Sequence, residues 1–522
     1  MIACCPPGRG SVAALNSEGA RAYDSPVRRP AGRAGGDYLV LAAVAGTVLA
    51  GLVLYSQTVA CYEDEGHHLL AAQLIRAGHR PYVDFFYQHP PLYAYLVAGW
   101  MRVFGDSWRS PHLMSALLTA SSALIAGEYV YSRLEKWRLA GAVIAMVLAS
   151  FQFYVIAFGT IGQAYGLCLF AVAAAFRLAV AAADEHGAAR CFWCGLAAGA
   201  AAASWLLTAP VVLILLLWLV GQGTTAQRWK KATLFAAGTV VPFLPLLWLA
   251  WQAPRAAFFD VVEFHLFYRS ANLHYHPTFR QDVGTAASLL AEPAVAVPLL
   301  LGAAALLFAS RGEWAEGRKR ETYLGAWLIA GLSALAVLAH PTFPQYFLPI
   351  FPFLGILGAL GVCALGQRIW TPGGAAWPAV VLMALCAAEL LLPLYRVRYG
   401  YPIRWQAYEE VAREINRVTP AEGSLYADTL LCYVAARRLP PPGLESDVAP
   451  FLKLSPELAG SLHVVPQSEL DAWLPAGRFD TICLDETDER IRTLVLSRVY
   501  AKQEHLNGYC LFWGRSTRGK LD

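Results

Sequence analysis

The sequence predicts an all-α polytopic membrane domain of about 11 spanning helices, followed by a small C-terminal α/β soluble domain. Three observations carry this expectation. The 522-residue chain is 57% apolar and only 15% charged, far from the soluble average. Apolar runs of roughly 18 residues or more, each long enough to cross a bilayer, recur between residues 38 and 396. From about residue 400 the composition becomes ordinary and short strand and helix patterns alternate.

Residues 1–37 are rich in Gly, Pro, Ala and Arg and lack the apolar core and cleavage site of a secretory signal, so they read as a disordered cytoplasmic tail. The membrane domain follows over 38–398, with spans expected at 38–60, 111–133, 138–156, 163–183, 191–204, 206–221, 230–252, 289–310, 321–340, 343–366 and 377–396. The pair 191–221 is expected to break near Thr208-Ala209-Pro210. The segment 90–105 (PPLYAYLVAGWMRVFG) is short for a span and opens with two prolines, so it is expected to lie along the outer interface.

Positive residues favour the cytoplasmic side, and this fixes the expected orientation. The only lysines before residue 400, Lys136, Lys230, Lys231 and Lys319, then all fall in cytoplasmic loops. The outer loops become 61–110, 157–162 and 253–288. The domain over 399–522 lies outside, with a helix at 405–418, strands near 424–428, 479–484 and 508–513, and a helix near 487–499. The setting implied is a bacterial inner (plasma) membrane, with the N-terminus cytoplasmic and the C-terminus periplasmic.

The net charge of +4 is small and the arginines are scattered, so the sequence offers no footprint for nucleic acid. None of the eleven cysteines has a spacing that suggests a disulfide framework, and Cys191 and Cys194 read as small apolar residues one helical turn apart. Gly195-xxx-Gly199 and Gly355-xx-Gly358-xx-Gly361 read as sites of close helix packing. Glu128 and Glu389 lie within predicted membrane helices, where an acid is costly.

The first outer loop holds the densest chemistry. Tyr62-Glu63-Asp64-Glu65-Gly66-His67-His68 follows the first span directly. Asp64 fits the N-cap of a helix over 65–77, whose apolar face is Leu70, Leu74 and Ile75 and whose C′ residue is Gly78. Further on, Arg80-Pro81-Tyr82-Val83-Asp84-Phe85-Phe86-Tyr87-Gln88-His89-Pro90-Pro91 carries Asp84 and His89, which interfacial anchoring does not explain.

The string DEGHHLLAAQLIRAGHRPYVDFFYQHPPLYAYLVAGWMRVFG resembles the first outer loop of the glycosyltransferase-C superfamily that uses polyprenyl-phosphate sugars, such as protein O-mannosyltransferases and lipid A aminoarabinose transferases. In that superfamily an Asp-Glu pair follows the first span and a His-Pro-Pro or Lys-Pro turn precedes a helix on the membrane. Residues 154–183 look like its second outer loop and following helix, and HPTFPQYFLPIFPFLGILG at 340–358 is similar to its late tyrosine-proline segment. The stretches SLYADTLLCYVAARRLPPP and FDTICLD look like the soluble domain that some members append.

The resemblance implies an integral-membrane glycosyltransferase that moves one sugar from polyprenyl phosphate to an acceptor hydroxyl on the outer face, with inversion. Asp64 would be the catalytic carboxylate with Glu65 beside it, and Asp84, His89, Gln163, Arg269, His340, Gln345 and Tyr346 would bind donor or substrate. Arg280 and His265 are further outer-face candidates for the phosphate. Two positions depart from the superfamily pattern: Gln163 stands where the second outer loop usually supplies an acid, and Trp205 where a lysine is expected. Gln163 disfavours a carboxylate-held divalent metal, since hard cations want several oxygen ligands, so no cofactor is expected. Expected partners are the lipid-linked sugar, a lipid, glycan or protein acceptor, and membrane lipids. The alternative reading is a lipid-linked-sugar transporter or flippase, or an inactive scaffold of the same fold. Transporters keep ionisable groups near the midplane and often show repeats, whereas this chain places most of its acids outside and shows no repeat.

Overall fold

A computed structural model describes residues 34–515, apart from 185–186, 223–224, 270–277, 312–313, 315 and 370–403. The predicted span 377–396, with Glu389, lies outside the described residues. Residues 34–43 carry only the opening turns of the first helix, and everything below lies in the compact unit from Val44 onward.

The membrane domain is helical throughout. Helices α1 (Ala34–Thr58), α4 (Arg109–Arg133), α7 (Tyr165–Asp184), α14 (Pro293–Ser310) and α15 (Glu316–Leu338) are single long segments. Among the described residues seven helical segments are long and apolar enough to cross a bilayer. Shorter apolar pieces, α5 (Arg138–Ser150) among them, accompany these, so the count of 11 stands neither reached nor refuted. The expected span 138–156 is α5 followed by a separate helix α6 (Phe153–Phe158). The break expected near Pro210 occurs: α8 (Ala188–Ser204) gives way to a 3-10 turn over Leu206–Thr208, and Pro210 opens α9 (Pro210–Val220), where its missing N–H costs nothing. Pro242 and Pro245 likewise interrupt 230–252, dividing it into α10 (Thr225–Val240) and α11 (Leu244–Gln252).

Glycines set the closest helix approaches, as the sequence expected. A Cβ on Gly195 of α8 would lie 2.0 Å from the Phe235 carbonyl oxygen of α10. On α16 (Phe351–Ile369), a Cβ on Gly361 would lie 1.9 Å from the Leu301 oxygen of α14. Two ion pairs add polar links: Glu128 of α4 meets Arg177 of α7 at 2.6 Å, and buried Glu321 of α15 meets Arg133 of α4 at 2.8 Å and Tyr129 at 3.0 Å. Glu128 therefore has a partner on a neighbouring helix.

The first outer loop forms α2 (Glu65–Arg76) and α3 (Leu92–Phe104). Gly78, at φ +99°, ends α2 with the paired bonds of a Schellman turn, His79 N to Leu74 O and Gly78 N to Ile75 O. Thirteen residues give α3 a length of about 20 Å, too short for a bilayer core. One face packs Tyr93, Val97 and Met101 inward while Leu96, Val103 and Phe104 stay exposed, a pattern suited to the interface. The outer segment after α11 opens with α12 (Pro254–Phe258) and runs on in π-helical turns over Phe259–Tyr268.

The C-terminal domain is α/β. Helix α17 (Trp405–Val418) is followed by a four-stranded sheet, order β1-β2-β4-β3, with β1 (Leu425–Ala427) parallel to β2 (Thr481–Asp485) and the hairpin β3 (Tyr500–Leu506) and β4 (Tyr509–Arg515) antiparallel. The sequence reading placed one helix near 487–499; the structure has only a helical turn at Arg490–Thr493 and a 3-10 turn at Leu496–Arg498, and it adds β3. The polar run Lys502-Gln503-Glu504 hid that strand, because β3 is an edge strand with one face in water.

The soluble domain and the outer loops share one apolar core, which joins Leu69, Leu70, Tyr82, Phe85, Tyr93, Phe259 and Phe264 to Trp405, Tyr408, Leu431 and Tyr433. Gly66 permits the contact: a Cβ there would meet the Leu430 Cβ at 2.8 Å.

If backbone contact fixes the α14–α16 distance, Gly361→Ala must push the helices apart. Thermal unfolding of the purified protein should then show a loss of about 1–3 kcal/mol or more, whereas Gly99→Ala, with nothing within 4 Å, should be neutral or mildly stabilising.

Candidate active site

The Asp64-Glu65 pair divides sharply in the fold. Glu65 exposes none of its surface. Its Oε2 accepts from His112 Nε2 at 2.6 Å and from the Gly162 amide at 2.7 Å, and its Oε1 accepts from the Tyr62 amide and from Trp405 Nε1, both at 3.1 Å. Three segments remote in sequence, and the loop just before the helix, therefore meet on one carboxylate. His112 also faces the Ser56 carbonyl through Nδ1 at 2.8 Å, so both of its ring nitrogens point at oxygen acceptors. Gly162 has no room for a side chain, because a Cβ would lie 2.7 Å from Leu69 and 3.0 Å from Glu65 Oε2. With every lone pair engaged, Glu65 faces no substrate space.

Asp64 is different. It occupies the N-cap position of α2, yet its side chain makes no capping bond, so the helix does not account for it. Its surface is open to solvent while protein atoms crowd it on other sides. Desolvation holds its carboxyl above the ordinary range; His67 and Arg269 pull it back and Asp447 pushes it further up. These three residues therefore lie within electrostatic reach of Asp64, and so does Tyr165.

Arg269 lies within electrostatic reach of Asp64, His89 and His265. Arg269, at the end of the π-helical turns, donates to the Tyr346 hydroxyl and lies 5.3 Å and 5.5 Å from the ring centres of Tyr346 and Phe343. Trp205, where a lysine was expected, packs between Tyr165 (5.0 Å) and Tyr346 (5.5 Å). His89 lies 4.7 Å from the His68 ring and 5.8 Å from the His265 ring. Burial and mutual repulsion hold His89 well below its usual pKa, and burial takes His265 down to about 4. Both rings are then neutral hydrogen-bonding groups rather than the cations the sequence reading took them for, and among these groups Arg269 carries the permanent charge. Gln163 is buried beside Gly162, one residue from the amide that binds Glu65.

Two expected residues have other partners. Asp84 forms a forked pair with Arg80, at 3.0 and 3.1 Å, and accepts the Arg80 amide at 2.7 Å, which holds its carboxyl low. His340 bonds to Asp282 of helix α13 (Phe279–Ala291) at 2.6 Å. Gln345 is buried next to Tyr346, and Arg280 is exposed on α13.

Several residues escaped the sequence reading. His67 lies 3.3 Å from Asp447, and its spacing of three from Asp64 on a helix was the available signal. Asp260 accepts the Tyr87 amide at 2.9 Å and is wholly buried, tying the 85–89 segment to the outer turns. Nothing in the sequence links Asp447, Trp405 or His112 to the first loop.

Residues 88–251 match the family model described as dolichyl-phosphate-mannose-protein mannosyltransferase. No curated protein matches the chain. Among solved structures, ArnT from Cupriavidus metallidurans bound to undecaprenyl phosphate is similar over 92% of this chain and 100% of its own, with a TM-score of 0.64 at 13% identity. The same enzyme in the apo state gives 0.61 at 14% identity over the same shares. The oligosaccharyltransferase of Archaeoglobus fulgidus, in complex with zinc and sulfate, is similar over 84% of this chain and 68% of its own, with a TM-score of 0.52 at 14% identity. At such identities the likeness is one of fold.

Glu65→Gln tests the junction. An amide has one acceptor oxygen, so whichever way it turns its nitrogen faces donors that Glu65 now satisfies. The variant should lose about 3–5 kcal/mol, read as a lowered unfolding temperature of the purified protein.

Proposed function

We propose that this chain, a multi-pass membrane protein with the glycosyltransferase-C fold, moves a single sugar from a polyprenyl-phosphate donor to an acceptor hydroxyl at the outer face of the bacterial inner membrane. The observation that carries this reading is the separation of the two adjacent acids: Glu65 is consumed by structure, and Asp64 is left open, uncapped and within electrostatic reach of Arg269.

In the reaction, Asp64 accepts the proton of the acceptor hydroxyl as its oxygen attacks the anomeric carbon, and the bond from that carbon to the phosphate oxygen breaks. Attack from the face opposite the leaving group inverts the anomeric configuration. The polyprenyl phosphate leaves as a stable anion. Arg269 supplies charge to that phosphate, with its guanidinium steadied by Tyr346 and Phe343, while His89 and His265 contribute neutral imidazole rings to the same wall. Tyr165 and Trp205 offer flat surfaces for a sugar ring or the first isoprene unit. Gln163 supplies an amide where a metal-binding acid would otherwise stand, so the scheme uses no divalent metal. In this reading Glu65 is a positioning residue: it fixes the start of α2 and hence Asp64.

Orientation belongs to the same proposal, with residue 136 cytoplasmic and residues 95 and 450 outside. Cysteine-accessibility labelling at these three positions should reach 95 and 450 but not 136 in intact cells, and labelling of 136 would reverse the assignment.

Asp64→Asn should reduce transfer of sugar from polyprenyl phosphate by about two to four decades while leaving the fold intact, since Asn is as good an N-cap as Asp and the side chain makes no cap bond here. The wild-type rate should climb with pH through a pKa above that of an ordinary carboxylic acid, because desolvation raises Asp64 and only its ionised form accepts a proton. Turnover above a tenth of wild type in the variant would remove Asp64 from the role.

A further inference from the structure

A cavity of about 250 Å³ opens where the soluble domain meets the first outer loop. Its floor lies at the carboxyl ends of the two parallel strands, where Asp428 follows β1 and Asp485 ends β2, the edge at which open α/β sheets bind ligands. Glu63, Asp447 and Asp488 complete five carboxylates around it, against the single cation Arg490. Arg490 is already engaged, by a fork to Asp488 at 2.5 and 2.8 Å and a bond to the Tyr426 hydroxyl at 2.9 Å. The cavity therefore carries a net negative charge, with burial raising the pKa of Glu63 and taking that of Asp428 up to about 7.

An independent observation points to a missing partner. Asp428 Oδ1 is buried and has no hydrogen-bond partner among the described residues, while its Oδ2 accepts the Asp485 amide at 2.6 Å. Gln467 Oε1, on the same wall, is also buried without a partner. Buried polar atoms of this kind are uncommon unless a donor arrives from outside the chain.

Position ties the cavity to the site. Glu63 lines it and precedes Asp64, and Asp447 both lines it and pairs with His67. Asp64 thus lies within electrostatic reach of both Arg269 and the cavity's Asp447. A donor phosphate is drawn to the arginine and repelled by the acids, so the acidic side is left to the acceptor.

We propose that this cavity binds the acceptor of the reaction through a protonated amine, and that the acceptor presents an amino sugar. The proposal rests on the glycosyl-transfer reading above. The volume suits one monosaccharide, Asp447 and Glu63 balance the ammonium charge, and its N–H donors satisfy Asp428 Oδ1 and Gln467 Oε1. The sugar's hydroxyls then lie toward Asp64.

Saturation-transfer NMR on the purified full-length protein tests this without requiring turnover. D-Glucosamine near neutral pH should bind at least tenfold more tightly than N-acetyl-D-glucosamine, which lacks the charge. Its affinity should fall at least tenfold in Asp447→Asn and in Glu63→Gln, each checked for an unchanged unfolding temperature. Equal binding of the two sugars by wild type overturns the proposal even if neither variant folds, and so does absence of glucosamine binding. Tighter binding of Nα-acetyl-lysine amide than of glucosamine overturns the amino-sugar assignment. Charge-dependent binding alongside an Asp64→Asn enzyme of undiminished turnover would sink the Asp64 mechanism and leave the amine site standing.

Discussion

A carboxylate removed from water must find its hydrogen bonds inside the protein or lose several kcal/mol. Glu65 finds four, and each comes from a different part of the chain: the end of the first helix's loop through Tyr62, α4 through His112, the second outer loop through Gly162, and the soluble domain through Trp405. The membrane bundle, the outer loops and the α/β domain are thus held to a common point within two residues of the loop's first acid. The stacked rings of Trp108 and Trp405, 4.9 Å apart and nearly parallel, reinforce the same junction, and Trp108 Nε1 donates to Glu409 of α17 at 2.8 Å.

This junction explains why three consecutive acids are tolerated at the start of α2. They do not share one environment. Glu65 turns inward to saturated bonds, Asp64 remains open to solvent and feels both Arg269 and Asp447, and Glu63 turns to the soluble domain, where the Tyr408 hydroxyl reaches it at 3.5 Å. Three adjacent side chains at the start of α2 thus meet three different environments, and the proposed reaction and acceptor site draw on that division. Arg269 and Asp447, groups of opposite charge, both lie within electrostatic reach of Asp64.

Much of this was legible in advance and the reason is local. The long apolar helices, the proline break at Pro210, the Gly78 stop of α2, the glycine contacts of α8 and α16 and the helix over 405–418 all follow from composition, period and backbone preference within a short window, whereas the break at Pro242 inside 230–252 was not expected. The clustering of Arg269 with Tyr346 was anticipated only through resemblance to a known family, since residues 77 positions apart carry no local mark of meeting. Asp84 shows the limit: a lone acid in an aromatic loop looked available, but Arg80, four residues earlier, holds it. The edge strand β3 shows another, because half-solvated strands of charged residues read as loop.

The sequence by itself determined that the chain is a helical membrane protein with an appended α/β domain, because bilayer length, apolar period and turn chemistry are properties of contiguous residues. It also marked the first outer loop as the place where chemistry is concentrated. Only the tertiary structure decided which of two adjacent acids is free and which is spent. That outcome depends on desolvation and on donors from His112, Gly162 and Trp405, and burial is set by everything that packs around a residue rather than by its neighbours in the chain.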